Sequence, residues 1–246
     1  RAFLNWCGDQ PQLRDSVHLD ACTPRVTKET LPKKRAKDDC LQREQLRAWF
    51  ASVKRISNPG IAAYLQVTLL TGARREEIAS LRWEDVDFKW NTLTIRDKVE
   101  GQRTIPLTPY VASLLAILKA KNETPPSSKR KSDSEKPDDW TPSPWVFSSK
   151  TSKTGRLQEP RIQHNKALTE AGLPALSIHG LRRSFGTLAE WVECPAGVVA
   201  QIQGHKPSAT AEKHYRVRPI DLLRVWHTKI EAWMLEQAGL KFSNLK

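Results

Sequence analysis

Three short segments of the sequence carry side chains that could act together on a phosphodiester. The first contains Arg74, the second His179 and Arg182, and the third His205, which Tyr215 follows ten residues later. Guanidinium groups are planar, permanently charged forks that bind phosphate oxygens, and imidazoles transfer protons near neutral pH. A tyrosine hydroxyl can act as a covalent nucleophile. These residue types therefore fit phosphoryl transfer to a protein oxygen.

Each of these residues also has a purely structural interpretation when it is taken alone. Arg74, close to Gly72, could be a solvated residue at a helix start. His179 and Arg182 lie three residues apart and would share a helix face, as structural pairs often do. Tyr215 could be a core or rim aromatic. The combination, together with a lysine after a predicted strand, is much less expected by chance than its parts.

The charge of the chain indicates a polyanionic partner. Lys and Arg number 40 against 27 Asp and Glu in 246 residues, so the formal net charge is +13 and the pI is about 9.8. A composition of 39% hydrophobic and 27% charged residues allows an ordinary core and excludes a fibrous or wholly disordered chain. Nucleic acid is the first candidate partner.

Several other classes of protein are excluded or disfavoured. The longest apolar runs, such as residues 61–65, fall far short of the roughly 20 residues of a membrane span. Four cysteines (Cys7, Cys22, Cys40 and Cys194) have neither C-x-x-C spacing nor the density of a disulfide scaffold, which favours reduced thiols in the cytoplasm and no metal site. The chain starts at Arg1 without a signal pattern, so we interpret it as a fragment of a longer protein.

Periodicity predicts one mainly helical domain that holds all three segments. Residues 1–36 have the composition of a tail and linker, and the domain covers 37–246. Residues 92–96 and 103–107 alternate polar and apolar types and predict a β-hairpin with its turn at 100–102, whereas residues 122–143 predict a flexible insertion. Apolar spacing predicts helices from residue 41 to the closing Asn58-Pro59-Gly60, and over 61–70, 76–81, 110–121, 161–171, 181–192, 196–203 and 219–240.

In this order and with these neighbours, the segments resemble the tyrosine recombinase (phage integrase) family over residues 41–226. The family's T-G-x-R motif, its acidic residue three positions later and its L-x-W-x-D motif match Thr71, Gly72, Arg74, Glu77, Leu81, Trp83 and Asp85. Its H-x-L-R, G-H and terminal tyrosine match His179, Leu181, Arg182, Gly204, His205 and Tyr215. The resemblance implies the DNA breaking-rejoining catalytic fold, mainly α with a small antiparallel β-sheet, after the tail of a missing N-terminal core-binding domain.

The family's hairpin lysine best matches Lys98, five residues before Arg103 in an R-x-x-P-L segment, and Lys89 is the nearest alternative. Some features depart from the family pattern. Arg183 stands where a histidine is common, and Gln203 stands where an apolar residue is usual. The spacing from the G-H motif to the tyrosine is one residue longer than the commonest one, and the insertion at 122–143 is unusually long.

The resemblance implies a role for each matched residue. Arg74 and Arg182 would clamp the non-bridging phosphate oxygens, and His205 would donate a hydrogen bond to one of them. Glu77, one helical turn after Arg74, would orient the arginines.

Tyr215 would form a covalent 3′-phosphotyrosine, with His179 as general base and Lys98 as general acid for the departing 5′ oxygen. Since the phosphotyrosine stores the bond energy, the reaction needs no ATP, metal or other cofactor.

The expected function is site-specific recombination of double-stranded DNA, for integration or excision of a mobile element. The chain would assemble on DNA as a tetrameric synapse in the cytoplasm. A type IB topoisomerase, which relaxes DNA with a similar residue set, and a non-catalytic DNA-binding module of the same fold are the alternatives. The segment after Tyr215 would pack either on a neighbouring protomer, as is frequent in this family, or in its own core.

Overall fold

A computed structural model of the chain describes residues 1–26, 39–97, 101–125, 141–205 and 218–242, which form two compact units, Arg1–Asp38 and Asp39–Lys246. The first unit contains helix α1 (Ala2–Asp9) and 3₁₀ turns at Arg14–Ser16 and Leu19–Cys22. Phe3 and Trp6 of α1 are exposed and stack with ring centroids 6.2 Å apart.

The second unit is mostly helical with a three-stranded antiparallel sheet, so the predicted fold class is confirmed. Its helices are α2 (Leu46–Lys54), α3 (Pro59–Thr71), α4 (Arg75–Ala79), α5 (Pro109–Glu123), α6 (Arg161–Glu170), α7 (Ile178–Ala189), α8 (Ala196–Gln203) and α9 (Ile220–Gln237). Its strands are β1 (Val86–Asp87), β2 (Thr92–Asp97) and β3 (Gly101–Pro106). Within these described residues, no helix is both long enough and apolar enough to cross a membrane.

Helix α3 runs through the centre of the unit and is buried along its length from Ala62 to Thr71. Its start corrects one prediction, because Asn58-Pro59-Gly60 opens this helix and does not close the preceding one. The Asn58 side chain accepts hydrogen bonds from the backbone N–H groups of Gly60 (2.9 Å) and Ile61 (3.3 Å), and Pro59 occupies the first helical position. Asn58 is therefore the N-cap of helix α3, and Pro59 is its first residue.

The predicted hairpin is confirmed as the pair β2 and β3, in which Leu93 lies opposite Ile105 and Ile95 opposite Arg103. The predicted turn at 100–102 is wrong, because Gly101 and Gln102 already pair with strand β2. Strand β1 was not predicted, since two residues are too few to show an alternating pattern.

Helix α9 packs in the core of its own unit through one buried face, which consists of Leu223, His227, Ile230, Glu231, Met234 and Leu235. The His227 imidazole Nε2 donates to the Leu70 carbonyl at 2.8 Å. The Glu231 carboxylate accepts from the Tyr110 backbone N–H at 2.8 Å and from the Thr108 hydroxyl, so it caps the start of α5. In this single chain, helix α9 therefore packs against its own unit.

The ends of the predicted insertion lie side by side. The Asn122 side-chain amide donates to the Ser143 carbonyl at 2.9 Å, and the Ser143 backbone N–H donates back to the Asn122 side chain at 3.1 Å. Helix α5 continues to Glu123, two residues beyond its predicted end. The rest of the predicted insertion, residues 126–140, lies outside the described residues.

Candidate functional site

The turn after α3 brings the first arginine into position. Gly72 has φ +59°, and a Cβ there would lie 2.6 Å from the Phe185 ring, so both the backbone conformation and the packing require glycine. Arg74 then precedes α4, where its backbone N–H donates to Glu77 Oε2 at 2.8 Å and its Nη1 donates to Glu77 Oε1 at 2.7 Å. The acidic residue at the third position thus fixes both the backbone and the side chain of Arg74.

Arg182 of α7 joins all three predicted segments. Its side chain is buried, and Nη1 donates to the Gly72 carbonyl at 2.8 Å and to the Gln203 carbonyl at 2.7 Å. The Arg74 Nη2 donates to the Gly204 carbonyl at 3.2 Å. Residues between 21 and 130 positions apart along the chain therefore meet around two guanidinium groups.

The two histidines lie at this site on the first turn of α7 and just after α8. The Ser177 hydroxyl accepts from the Gly180 backbone N–H at 3.0 Å, so α7 starts three residues before its predicted start and includes His179. Gly204, with φ +71°, ends α8, and the His205 backbone N–H donates to the Ala200 carbonyl at 2.8 Å.

Both imidazoles reach the surface, yet both have lowered pKa values. Partial burial lowers the pKa of His179, and the charges of Arg183 and Arg182 lower it further. Partial burial also lowers the pKa of His205, followed by the charges of Arg182 and Arg74. The neutral imidazoles are therefore favoured at pH 7, and a neutral imidazole can accept a proton.

Sequence reasoning gave no role to Arg103, which the structure places among these groups. Its Nη1 and Nη2 donate to the two oxygens of Glu77 at 3.0 and 2.7 Å, and its Nε donates to the Ile202 carbonyl at 3.1 Å. Burial alone would raise the pKa of Glu77, but hydrogen bonds and charge from Arg103 and Arg74 hold it below its usual value. The expected contact between Glu77 and Arg74 is confirmed. We refer to Arg74, Glu77, Arg103 and Arg182 as the arginine cluster.

The two residues that differ in type from the family pattern, Gln203 and Arg183, make specific contacts. The buried Gln203 side chain donates from Nε2 to the Arg182 carbonyl at 2.8 Å. The Arg183 guanidinium pairs with Asp39, whose other carboxylate oxygen accepts from the Ser177 backbone N–H at 2.9 Å. Arg183 therefore ties the first residue of the second unit to the start of α7.

Two predicted site residues, Lys98 and Tyr215, lie outside the described residues. The alternative lysine, Lys89, belongs to the β1–β2 turn, at the opposite end of strand β2 from position 98. Strand β2 has six residues, so these two ends lie about 17 Å apart at about 3.3 Å per residue.

The site is cationic. Across the described ranges, no three His, Cys, Asp or Glu side chains are grouped in a way that could hold a metal ion. The four cysteines are free thiols. The arginine cluster holds three guanidinium groups and one carboxylate, that of Glu77, which is bonded to Arg74 and Arg103. This excess of positive charge suits an anionic group with several oxygens.

Comparison with known sequences gives consistent results. The sequence model of the phage integrase family matches residues 40–218. The prophage integrase IntF of Escherichia coli (strain K12) is 54% identical over 245 residues, which cover 99% of this chain and 49% of that protein. The tyrosine recombinase XerC of Pediococcus pentosaceus is 26% identical over 63% of this chain and 49% of that protein. The chain thus spans about half the length of these curated relatives.

Solved structures show the same fold at low sequence identity. The integrase from mycobacterium phage Brujita has a TM-score of 0.59 at 17% identity and covers 99% of this chain and 71% of that chain. A lambda integrase dimer bound to a COC′ core site has a TM-score of 0.57 at 13% identity, over 89% and 74% of the two chains. The XerH site-specific recombinase bound to difH substrate has a TM-score of 0.54 at 21% identity, over 76% and 53%.

Proposed function

The chain belongs to the phage integrase family of site-specific recombinases, as its motifs indicated, and we propose that it cuts and rejoins DNA through a covalent 3′-phosphotyrosine at Tyr215. The observation that carries this proposal is the meeting of Arg74, Arg182, His179 and His205. They come from three distant segments, and the charges of both arginines act on both imidazoles. Such convergence supports a site for a phosphodiester over an accidental surface cluster.

In the proposed reaction, the Tyr215 hydroxyl oxygen forms a bond to phosphorus while the bond from phosphorus to the 5′ oxygen breaks. His179 takes the phenol proton, and Lys98 gives a proton to the departing oxygen. The non-bridging oxygens gain negative charge as five-coordinate phosphorus forms. Arg74 and Arg182 stabilise that charge, and His205 adds a hydrogen bond. Attack of a 5′ hydroxyl on the phosphotyrosine reverses these steps and reseals the strand.

The other two tyrosines of the chain support the choice of Tyr215 as the nucleophile. Tyr64 is fully buried and donates to the Arg75 carbonyl at 2.9 Å, and burial raises its pKa. Tyr110 is also buried and donates to Gln66 Oε1 at 2.7 Å, and burial raises its pKa to about 12. Neither phenol is available for attack on DNA, and the sequence contains three tyrosines in all.

The proposed partner is double-stranded DNA, on which the protein would assemble as a tetrameric synapse. A net charge of +13 favours a polyanion, and two of the similar solved structures are DNA complexes. We further propose that the reaction integrates or excises a mobile element, because a prophage integrase is 54% identical to this chain. Residues 37–246 would be the catalytic part, and the protein would be DNA-associated in the cytoplasm.

The proposal is tested by trapping the covalent adduct. The full-length protein is incubated with nicked duplexes that tile the DNA flanking its gene, because loss of the short cleaved strand prevents rejoining. A denaturing gel should show a protein–DNA adduct with wild type and with the matched control Tyr110→Phe, and none with Tyr215→Phe. Tyr215→Phe should still bind the duplex, since one hydroxyl is a minor part of the backbone contacts. An adduct that persists in Tyr215→Phe would refute the proposal.

A further inference from the structure

Arg103 occupies an unusual place for a charged side chain. It lies opposite Ile95 in the sheet, and it shares a sheet face with Leu93 and Ile105, since alternate residues of a strand point the same way. These three apolar residues are fully buried, and 15% of the Arg103 side chain is exposed. A guanidinium in such a position is costly unless its donors are satisfied, so its partners define its role.

The partners of Arg103 are the same atoms that hold Arg74. Glu77 Oε1 accepts from Arg103 Nη1 at 3.0 Å and from Arg74 Nη1 at 2.7 Å. Glu77 Oε2 accepts from Arg103 Nη2 at 2.7 Å and from the Arg74 backbone N–H at 2.8 Å. Each carboxylate oxygen thus receives one bond from each arginine. Because the fork of Arg103 binds both oxygens, the carboxylate of Glu77 cannot rotate without losing bonds to both residues.

Arg103 also links the hairpin to the third predicted segment. Its Nε donates to the Ile202 carbonyl at 3.1 Å near the end of α8. Its guanidinium packs against Gly204, where a Cβ would lie 2.7 Å from it. The Gly204 carbonyl in turn accepts from Arg74 Nη2. Arg103 therefore contacts two groups that bind the Arg74 side chain, the Glu77 carboxylate and the Gly204 residue.

We propose that Arg103 is a positioning residue for strand cleavage, which holds Arg74 in its phosphate-binding orientation through Glu77 and does not itself contact DNA. This inference rests on the proposed function, because it assigns Arg103 to the site of that reaction. Lysine cannot replace it, since an ammonium lacks the fork that binds both carboxylate oxygens and the Ile202 carbonyl together.

The first test is a double-mutant cycle on single-turnover adduct formation with the full-length protein. Arg103→Met and Arg103→Lys should each slow the reaction by about 10²-fold, the size expected for loss of one preorganised donor. In the Arg74→Ala background, Arg103→Met should change the rate by less than about threefold, because the residue through which it acts is gone. If the double variant is slowed by the product of the two single effects, or if Arg103→Lys reacts at the wild-type rate, the proposal is wrong.

The matched control is Arg224→Gln, which removes an arginine of α9 bonded to backbone carbonyls of the β1–β2 turn. Arg224 donates to the Asn91 and Trp90 carbonyls at 2.6 and 3.1 Å, next to the Thr92 end of strand β2. This variant should cleave at the wild-type rate. If it loses as much activity as Arg103→Met, the effect belongs to hairpin stability and the proposal is wrong.

DNA affinity separates positioning from direct phosphate contact. A lost phosphate contact lowers the slope of log K against log salt by about 0.9. Arg103→Lys and Arg103→Met should keep the wild-type slope, and a decrease near 0.9 in Arg103→Met would assign Arg103 to the DNA interface.

A crystal structure of Arg103→Lys gives a readout that does not depend on activity. The Arg74 Nη1 to Glu77 Oε1 distance should exceed 3.5 Å, and an unchanged pair would contradict the proposal. If the wild-type protein forms no Tyr215 adduct, the proposed function fails, while this structure still decides whether Arg103 positions Arg74.

Discussion

Arg182 and Arg74 contribute to one site, but the surroundings that hold them differ. Arg182 is 5% exposed and donates to two neutral backbone carbonyls, those of Gly72 and Gln203. The side chain of Arg74 is 40% exposed, and it is paired with a carboxylate that also binds Arg103. Arg182 is part of the packed core, whereas Arg74 lies at the surface and is held by the ion pair of Glu77 and Arg103.

Because of this difference, we expect the two arginines to contribute differently to the stability of the fold and to the positive charge of the site. The two carbonyls that accept from Arg182 carry no charge, and they are themselves buried and depend on it. Glu77 partly neutralises Arg74, yet it remains bonded to Arg103 when Arg74 is removed. Loss of Arg182 should therefore affect both folding and cleavage, whereas loss of Arg74 should affect cleavage alone.

The largest effect is expected for Arg182→Ala. Two buried carbonyls would lose their donor, at a cost of about 1–3 kcal/mol each in the free energy of unfolding. The cleavage rate should fall by at least about 10²–10³-fold. Urea unfolding and single-turnover adduct formation measure the two effects. Wild-type stability in this variant would break the distinction between the two arginines.

Arg74→Ala should reduce cleavage by about 10²-fold and leave the free energy of unfolding within about 0.5 kcal/mol of wild type. The same two measurements apply, with Arg75→Ala as the control. Arg75 is the adjacent arginine, whose guanidinium is bonded to Glu159 at 2.5 Å and not to the arginine cluster. A loss of stability comparable to that of Arg182→Ala would show that Arg74 too is part of the core.

The contributions of Glu77 and of Arg182 to the free energy of unfolding should also depend differently on pH. The folded-state pKa of Glu77 is lowered, so its contribution to stability is present above its unfolded pKa near 4.5 and is lost as pH falls through the lower folded value. The difference in stability between wild type and Glu77→Gln should therefore shrink below pH 4.5. The difference between wild type and Arg182→Ala should shrink less, because the Gly72 and Gln203 carbonyls that accept from Arg182 do not titrate in this range. Urea unfolding at pH 7, 4 and 3 compares the two variants.

The smallest effect is expected for Gln203→Met, which restores the apolar type usual in the family. It removes one buried side-chain hydrogen bond to the Arg182 carbonyl, worth about 1 kcal/mol, but keeps the Gln203 carbonyl that binds Arg182. Thermal unfolding should show a modest loss, and cleavage should stay within about tenfold of wild type. Loss of all activity would mean that the side chain, and not the backbone of Gln203, positions Arg182.

The motifs and most helices were predictable from sequence because their signals are local. The T-G-x-R and H-x-L-R motifs indicated residues that do meet in space, and apolar spacing indicated α3, α7 and α8. The start of α7 was misjudged by three residues, although Ser177 is a common helix cap and could have revealed it.

Other features depend on contacts between distant residues. Arg103 and Glu77 are 26 residues apart in the sequence, and Arg182 and Gly72 are 110 apart. No local sequence pattern therefore predicts either pair. The same holds for Arg183 and Asp39, and for the burial of His227 of α9 against the Leu70 carbonyl. The hydrogen-bond partners of these buried polar groups are known only from the structure, because the sequence shows that a residue is polar but not which group it will bond to.

The most direct test of the proposed reaction is to map the attachment site of the trapped DNA. The adduct from a nicked duplex is digested with nuclease and protease, and mass spectrometry identifies the tyrosine that carries the residual 3′-linked nucleotide. A phosphonucleotide is expected on Tyr215 and none on Tyr64 or Tyr110. Attachment to either of the buried tyrosines, or to a residue other than tyrosine, would contradict it.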